Sequence, residues 1–385
     1  MTSAGTGPAP PTRALPKSAD VVVIGGGIAG TATAAFLAEA GASVVLVERD
    51  AIAGGASGRN SGVVQAPIDP VLAALYRESV TRYRALEDAA VAPFALPREP
   101  AGLLYVSRDA TLAKRLAEEL AARAPELQPE YLDPEAVHAL EPSIDPSVAA
   151  CRLEIGYPVA PGAATTAYAE LAAARGALVA VAAPASIVRD GRRAVGARVG
   201  DRQILAPAVV LAAGPWTPGI VDPTGRWCPI RRSWGVVAEI ALPEPPGHVL
   251  EEAELDEAIE PGGEALPGYG FSLVTAAGRS VLGSTFLERE PDAASIVPEL
   301  QRRGARFVPA IADAPVVSSR RCARPVSDDG RPLVGRIPWL DRLYVVAGHG
   351  PWGISTGPGS AAIVADLVLG RRSDPPPELD PGRFG

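Results

Sequence analysis

Residues 21–50 read VVVIGGGIAGTATAAFLAEAGASVVLVERD. An apolar, β-branched run, Val21–Ile24, leads into Gly25-Gly26-Gly27-Ile28-Ala29-Gly30. A helix of small residues follows, then Gly41, then a second apolar strand that ends at Glu48 with Arg49 next to it. The glycines differ in what they allow. Gly25 makes the tight turn, Gly27 lets the backbone approach a pyrophosphate, and Gly30 lets the helix pack on the strand. The helix start, with Ile28 and Ala29, offers free N–H groups and a positive dipole end to phosphates. Glu48 stands where a carboxylate can accept the hydroxyls of an adenosine ribose. A lone GxGxxG is weak evidence. Strand, glycines, helix, strand and acid in this order predict a dinucleotide-binding βαβ unit.

The bulk numbers narrow the class. A chain of 385 residues can bury two cores. A net charge of −8 argues against nucleic acid or an anionic membrane as the main partner. The three cysteines are scattered, which fits a reducing compartment rather than a disulfide framework. With three histidines and no HExxH or CxxC, no metal site is expected. No apolar run reaches membrane-spanning length. Residues 1–18, rich in Pro, Gly, Ala and Thr, read as a flexible tail without the apolar stretch of a signal peptide. A cytoplasmic location is the expectation.

Further along, Gly54–Gly62 (GGASGRNSG) is a polar, glycine-rich loop. Residues 71–90 and 110–124 have helical spacing, and Gly102–Val106 reads as a strand. A turn at Pro158–Gly162 precedes an Ala-rich helix and a strand near Leu178–Val181. Ala185–Val188, Asp190-Gly191 and Ala194–Val199 form a hairpin pattern. Val209–Gly214 (VVLAAG) is apolar on both faces, as a parallel sheet requires. Residues 227–320 change style, with more proline, short strands such as Trp234–Ile240 and Ser280–Ser284, and acidic loops near 251–264. The first style returns with the buried strand Leu343–Ala347, the turn Gly348-His349-Gly350-Pro351-Trp352-Gly353 and a helix to about Leu369.

Four blocks together resemble the FAD-dependent D-amino acid oxidase superfamily, which includes glycine oxidase, sarcosine oxidase and D-amino acid dehydrogenases. They are GGGIAG with Glu48, GGASGRNSG, VVLAAGPW, and RPVSDDGRPLVG with LYVVAGHGPWGISTGPGSA. The resemblance implies an α/β (α+β) fold: a Rossmann-like FAD-binding domain, discontinuous in sequence, and a substrate domain with an antiparallel sheet. The division expected is 19–90, 151–226 and 320–372 for FAD, 91–150 and 227–319 for substrate, and 373–385 as a C-terminal tail.

FAD is long, so several distant loops must wrap it. Ala56, Ser57, Arg59, Asn60, Ser61 and Gly62 can contact the pyrophosphate, ribityl chain and flavin edge. Ala185, Ala213, Gly214 and Trp216 are further candidates, as are Gly348, Pro351 and Trp352. Gly353-Ile354-Ser355 opens the last helix, whose dipole would favour negative charge on a reduced flavin. No second GxGxxG offers an NAD(P)H site, so oxygen or a carrier is the expected electron acceptor. The resemblance makes Arg324 of Arg324-Pro325 the residue that pairs with a substrate carboxylate, for which the guanidinium fork is suited. An ordinary inter-domain ion pair is the competing reading. The resemblance also places His349 near the isoalloxazine, a candidate catalytic residue for which a direct role and hydrogen-bonded packing are the two readings, though not as the base in amine oxidation. Trp234, Tyr269, Phe271 and Trp352 are candidate pocket walls, with core packing the alternative for each. His138, His248 and the acidic run Glu251–Glu254 read as solvated loops.

The chain departs from the family in two places. Arg320-Arg321-Cys322-Ala323 replaces the usual aromatic and glycine before Arg-Pro. Cys322 falls where sarcosine oxidases carry a flavin-linked cysteine, but the tyrosine and threonine of that motif are missing, so non-covalent FAD is the preferred reading. Neither lysine, Lys17 nor Lys114, matches the oxygen-activating lysine of sarcosine oxidases. The implied activity is oxidation of the C–N bond of a small, carboxylate-bearing amino acid or secondary amine, by hydride transfer to flavin N5 giving an imine. The alternatives are an FAD-dependent 2-hydroxy acid dehydrogenase, for which His349 is the candidate base, and a flavin-binding, non-catalytic subunit of a larger oxidase.

Overall fold

The computed structural model of the chain describes residues 14–253 and 268–385. The two opening strands lie parallel, Val21–Ile24 beside Val44–Val47, joined through the helix Ile28–Glu39. Ala208–Leu211 adds on the other side of Val21–Ile24, also parallel, followed by Leu343–Ala347. The six-stranded sheet runs Leu333–Arg336, Leu343–Ala347, Ala208–Leu211, Val21–Ile24, Val44–Val47, Leu178–Ala180. Its central strands are buried on both faces, which explains why they read as unbroken Val/Leu/Ile runs.

Helices Ile28–Glu39, Pro70–Asp88, Ala163–Ala174 and Gly353–Val368 cover one face. Small residues let them come close. A Cβ on Gly359 would overlap the Leu75 carbonyl, and one on Gly357 would crowd Ile28. Pro358 sits inside that helix, and the hydroxyl of Ser79 accepts the neighbouring Gly359 N–H at 2.9 Å. The hairpin region, Ala185–Asp190, Arg193–Val199 and Arg202–Leu205, forms a three-stranded sheet over the other face with Trp227 and Trp339.

A second sheet of eight strands runs Val316–Ser327, Ile230–Ile240, Arg279–Thr285, Tyr269–Ala276, Val249–Glu252, Leu103–Ser107, Ala149–Leu153, Glu130–Leu132. All neighbours are antiparallel except Val249–Glu252 with Leu103–Ser107. The helix Ala293–Gly304 packs on one face over Phe271 and Phe307, whose rings stack at 4.9 Å. The opposite face looks toward the first sheet's strand ends.

Several expectations change. A boundary at residue 320 would cut Val316–Ser327, which pairs with Ile230–Ile240 along its length, so Cys322 and Arg324 belong to the second sheet. Ala149–Leu153 likewise carries that sheet past residue 151. Residues 373–385 are not a loose tail. Leu379 and Pro381 are buried, and Arg383 binds Asp329 through two guanidinium nitrogens at 2.7 and 3.1 Å. At the other end, Lys17 and Ser18 are tied to Leu205, while residues 1–13 lie outside the described residues. His248 is not solvated: its Nδ1 lies 2.6 Å from Glu141 Oε1. His138 sits on the helix Pro134–Leu140 with Nδ1 3.1 Å from the Ile144 carbonyl. Glu251 and Glu252 are buried in a strand, because the ladder turns them inward alternately; the acidic loop from residue 254 on lies outside the described residues.

Candidate cofactor and substrate site

The glycine turn separates what the fold needs from what a ligand needs. Gly25 has φ +118°, and a Cβ there would overlap the Ala212 carbonyl. A Cβ on Gly30 would overlap the carbonyl of Gly25, so the helix could not sit down on the turn. Gly27 is different. Its backbone is extended, and a Cβ would meet only Ser57 Oγ, at 3.1 Å. Its open side faces a cavity of about 520 Å³, within the usual range for ligand sites.

The helix start has no side chain of its own as a cap. Ile28 N–H donates instead to Ser57 Oγ at 2.9 Å, which brings the polar loop onto the helix N-terminus. Glu48 holds the turn: Oε2 accepts Gly26 N–H at 2.6 Å and Oε1 accepts Asp50 N–H at 2.8 Å. Each oxygen keeps a second lone pair for a ribose hydroxyl. Arg49 stacks over Trp216 at 4.5 Å.

Most of the sequence candidates converge on this one cavity. Gly25, Gly27, Ile28, Ala29, Glu48 and Arg49 line one end, with Ala56, Ser57, Arg59, Asn60 and Ser61 above them. Ala185, Ala213, Gly214 and Trp216 line its side. Pro351, Trp352, Gly353, Ile354 and Ser355 bring the N-terminus of the last helix to it. Arg324, His349 and Trp234 line it as well. Gly30, Gly62 and Gly348 are not on its wall; they serve packing and turns, Gly62 and Gly348 with φ +86° and +88°. Tyr269 and Phe271 are also off the wall. Phe271 is fully buried against Phe307 on the sheet's other face, which is the packing role weighed against a pocket role. Among the described residues no group of three or more His, Cys, Asp or Glu could hold a metal ion.

Arg324 is the main electrostatic feature. Nη1 donates to the Thr285 carbonyl at 2.6 Å and Nη2 to Ser284 Oγ at 2.8 Å, and the guanidinium lies 4.5 Å over Phe286. Gly235 makes room for it, since a Cβ there would come 2.5 Å from Nη1. Burial pushes the guanidinium below its ordinary pKa. Among the described residues no carboxylate pairs with it. Arg320, earlier on the same strand, donates from Nη2 to the Asn60 carbonyl at 2.9 Å, tying the polar loop to the second sheet.

His349 is buried, and burial pulls its pKa down to about 4. Its Nε2 lies 3.0 Å from Ser360 Oγ on the last helix. Cys322 lines the cavity beside Arg324, and burial pushes its thiol up.

The structure adds wall residues that no motif announced: Gln65, Glu251, Ser272, Ser284, Phe286. Gln65 N–H donates to Ser355 Oγ at 2.9 Å, and its Nε2 donates to Glu251 Oε2 at 3.3 Å. No pattern in the sequence marked them: Glu251 stands in the acidic run 251–254, which reads as a solvated loop.

Comparison with known proteins agrees with this geometry. Residues 20–367 match the family model DAO, described as FAD dependent oxidoreductase. Glycine oxidase of Bacillus licheniformis is 24% identical over 368 residues, covering 92% of this chain and 94% of that one. Glycine oxidase of Pseudomonas aeruginosa is 29% identical over 201 residues, 51% of this chain and 52% of the relative, so that match spans about half its length. The crystal structure of glycine oxidase from Bacillus cereus superposes with a TM-score of 0.79 at 22% identity, covering 92% of this chain and 96% of that one, which establishes the shared fold.

Proposed function

The chain belongs to the DAO family of FAD-dependent oxidoreductases, and we propose that its substrate is a small amino acid or secondary amine bearing a carboxylate, oxidised at the C–N bond to an imine. The observation that carries this reading is Arg324: a half-buried cation on the cavity wall with no carboxylate partner among the described residues. A guanidinium has five N–H donors; two are held by Thr285 and Ser284, which fixes the fork and leaves the rest for a substrate anion.

The residues present fit FAD. The open side of Gly27, the amide of Ala29 and the Ser57 hydroxyl, which itself accepts the Ile28 N–H, would take the pyrophosphate, Glu48 the ribose, and Asn60, Ser61 and the Gly353–Ser355 helix start the ribityl and flavin end. Bound FAD supplies the acceptor for a hydride from the carbon next to the substrate nitrogen. Arg324 sets the carboxylate, and so the orientation of that carbon. Trp234, Phe286 and Trp352 exclude water around it. The helix start at Gly353–Ser355 points its positive end into the cavity and favours negative charge there. Oxygen or a carrier takes the electrons onward. A protonated, buried Cys322 is a poor nucleophile, which supports non-covalent FAD. We place the substrate domain on the eight-stranded sheet and the cofactor domain on the six-stranded sheet with its helices.

A 2-hydroxy acid would need a base for its hydroxyl proton. His349, with a pKa of about 4 and Nε2 turned to Ser360, is a weak one. An amine delivered neutral needs none. Anaerobic mixing of the holoenzyme with amino acids, N-methyl amino acids, amine esters and 2-hydroxy acids decides the matter. Bleaching of the flavin absorbance by the carboxylate-bearing amines is expected. Bleaching by hydroxy acids alone, or by neutral amines as readily as by acids, would overturn the proposal.

A further inference from the structure

Strand alternation gives the cavity a second charged wall. In Val249–Glu252, Leu250 and Glu252 face the helix Ala293–Gly304; Leu250 joins the core with Phe271, and Glu252 receives Arg303 at 2.7 and 2.9 Å. Glu251 therefore faces the other way, onto the cavity wall, only 8% exposed, with the amide of Gln65 on its Oε2 at 3.3 Å. In a cavity shielded from water, a carboxylate attracts a cation more strongly than it does at the surface.

We propose that Glu251, set by Gln65, is a subsite for a second, cationic nitrogen on the substrate, so that the preferred substrate class is a carboxylate-bearing amine with a basic group further along its chain. The proposal rests on Arg324 as the carboxylate anchor. Register supplies the spacing. Glu251 pairs with Ser272, Ser272 pairs with Gly283, and Ser284, which holds the Arg324 guanidinium, is the next residue. Two strand steps of about 4.8 Å each separate the two anchoring strands. An α-amine lies two bonds from its own carboxylate and stays at the Arg324 end. Glu251 addresses a nitrogen several bonds away.

The test measures binding to the holoenzyme by isothermal titration with three carboxylates of equal length: pentanoate, 5-aminopentanoate and glutarate. Wild type binds 5-aminopentanoate at least tenfold more tightly than pentanoate, and glutarate most weakly. Glu251→Gln brings 5-aminopentanoate to within threefold of pentanoate. Glu251→Asp, which keeps the charge and shortens the reach, lowers the ratio severalfold and serves if Glu251→Gln does not fold. Pentanoate or glutarate binding wild type as tightly as 5-aminopentanoate, no binding of any of the three, or an unchanged ratio in the Glu251 variants overturns the subsite. Arg324→Ala separates the two readings: it weakens all three ligands and keeps the ratio. A kept ratio without weakening removes the Arg324 anchor alone.

Discussion

The fold itself does not need a glycine at Gly27, and on the proposed reading that space holds the pyrophosphate, which has a measurable consequence. A side chain at Gly25 or Gly30 would strike backbone, whereas at Gly27 it meets only Ser57 Oγ. Gly27→Val is expected to fold with a melting temperature near that of the FAD-free wild type and to be colourless, because the branch fills the pyrophosphate's place. Yellow Gly27→Val protein would contradict the cradle. Cys322 gives a second test. Denaturation and gel filtration should separate the colour from the polypeptide, since a thiol raised by burial stays protonated; colour that stays with the chain and is lost in Cys322→Ser would contradict it. At this scale the convergence of Gly25, Gly27, Glu48 and Arg324 on one cavity was legible because each sits in a block with fixed spacing. Glu251, Gln65, Ser284 and Phe286 were not, because a residue's facing depends on the register of its strand, and no spacing rule marks a wall residue.

The elements carry constraints that single residues do not show. The turn before the Gly353–Val368 helix buries His349 against Ser360. Its pKa falls from 6.5 to about 4 in the fold, so the unfolded chain binds more protons between those values. Stability is therefore full above pH 6.5 and falls as the pH drops toward 4, by roughly 2–3 kcal/mol at pH 4.5. Urea unfolding of wild type and His349→Gln at pH 7.5 and 4.5 checks this: the variant lacks that share of the acid loss, and equal losses in both would clear His349. The C-terminal segment is an element in the same sense. Ending the chain at residue 372 removes the Arg383–Asp329 pair and the cover over Trp339, and a lower melting temperature with FAD still bound is expected. Proline and glycine made residues 373–385 read as a tail, since short 3₁₀ turns have no periodicity to detect. The parallel strands and the 185–199 hairpin were legible because their burial is uniform or their turn residues explicit.

In the whole molecule, two sheets share one cavity. The six-stranded sheet ends in glycine turns that line the cavity and on the proposed reading take the dinucleotide, and the eight-stranded sheet supplies Arg324 and Glu251. Arg320 to Asn60 and Arg59 to the Arg321 carbonyl tie the sheets at the cavity's rim, at 2.9 and 3.4 Å. Sequence blocks could be brought to one cavity in advance because the family's cofactor motifs have fixed spacing. The wall residues on the eight-stranded sheet follow no such motif and had to be seen in three dimensions. Whether Arg324 holds a substrate carboxylate is decided by steady-state kinetics of wild type and Arg324→Ala, with an amino acid that the enzyme oxidises and its methyl ester. Truncating one member of a buried charge pair costs roughly 2–5 kcal/mol. In Arg324→Ala, KM for the acid should rise about 30-fold or more, with little further loss for the ester and an unchanged flavin spectrum. Equal effects on acid and ester, or no effect on either, would contradict it.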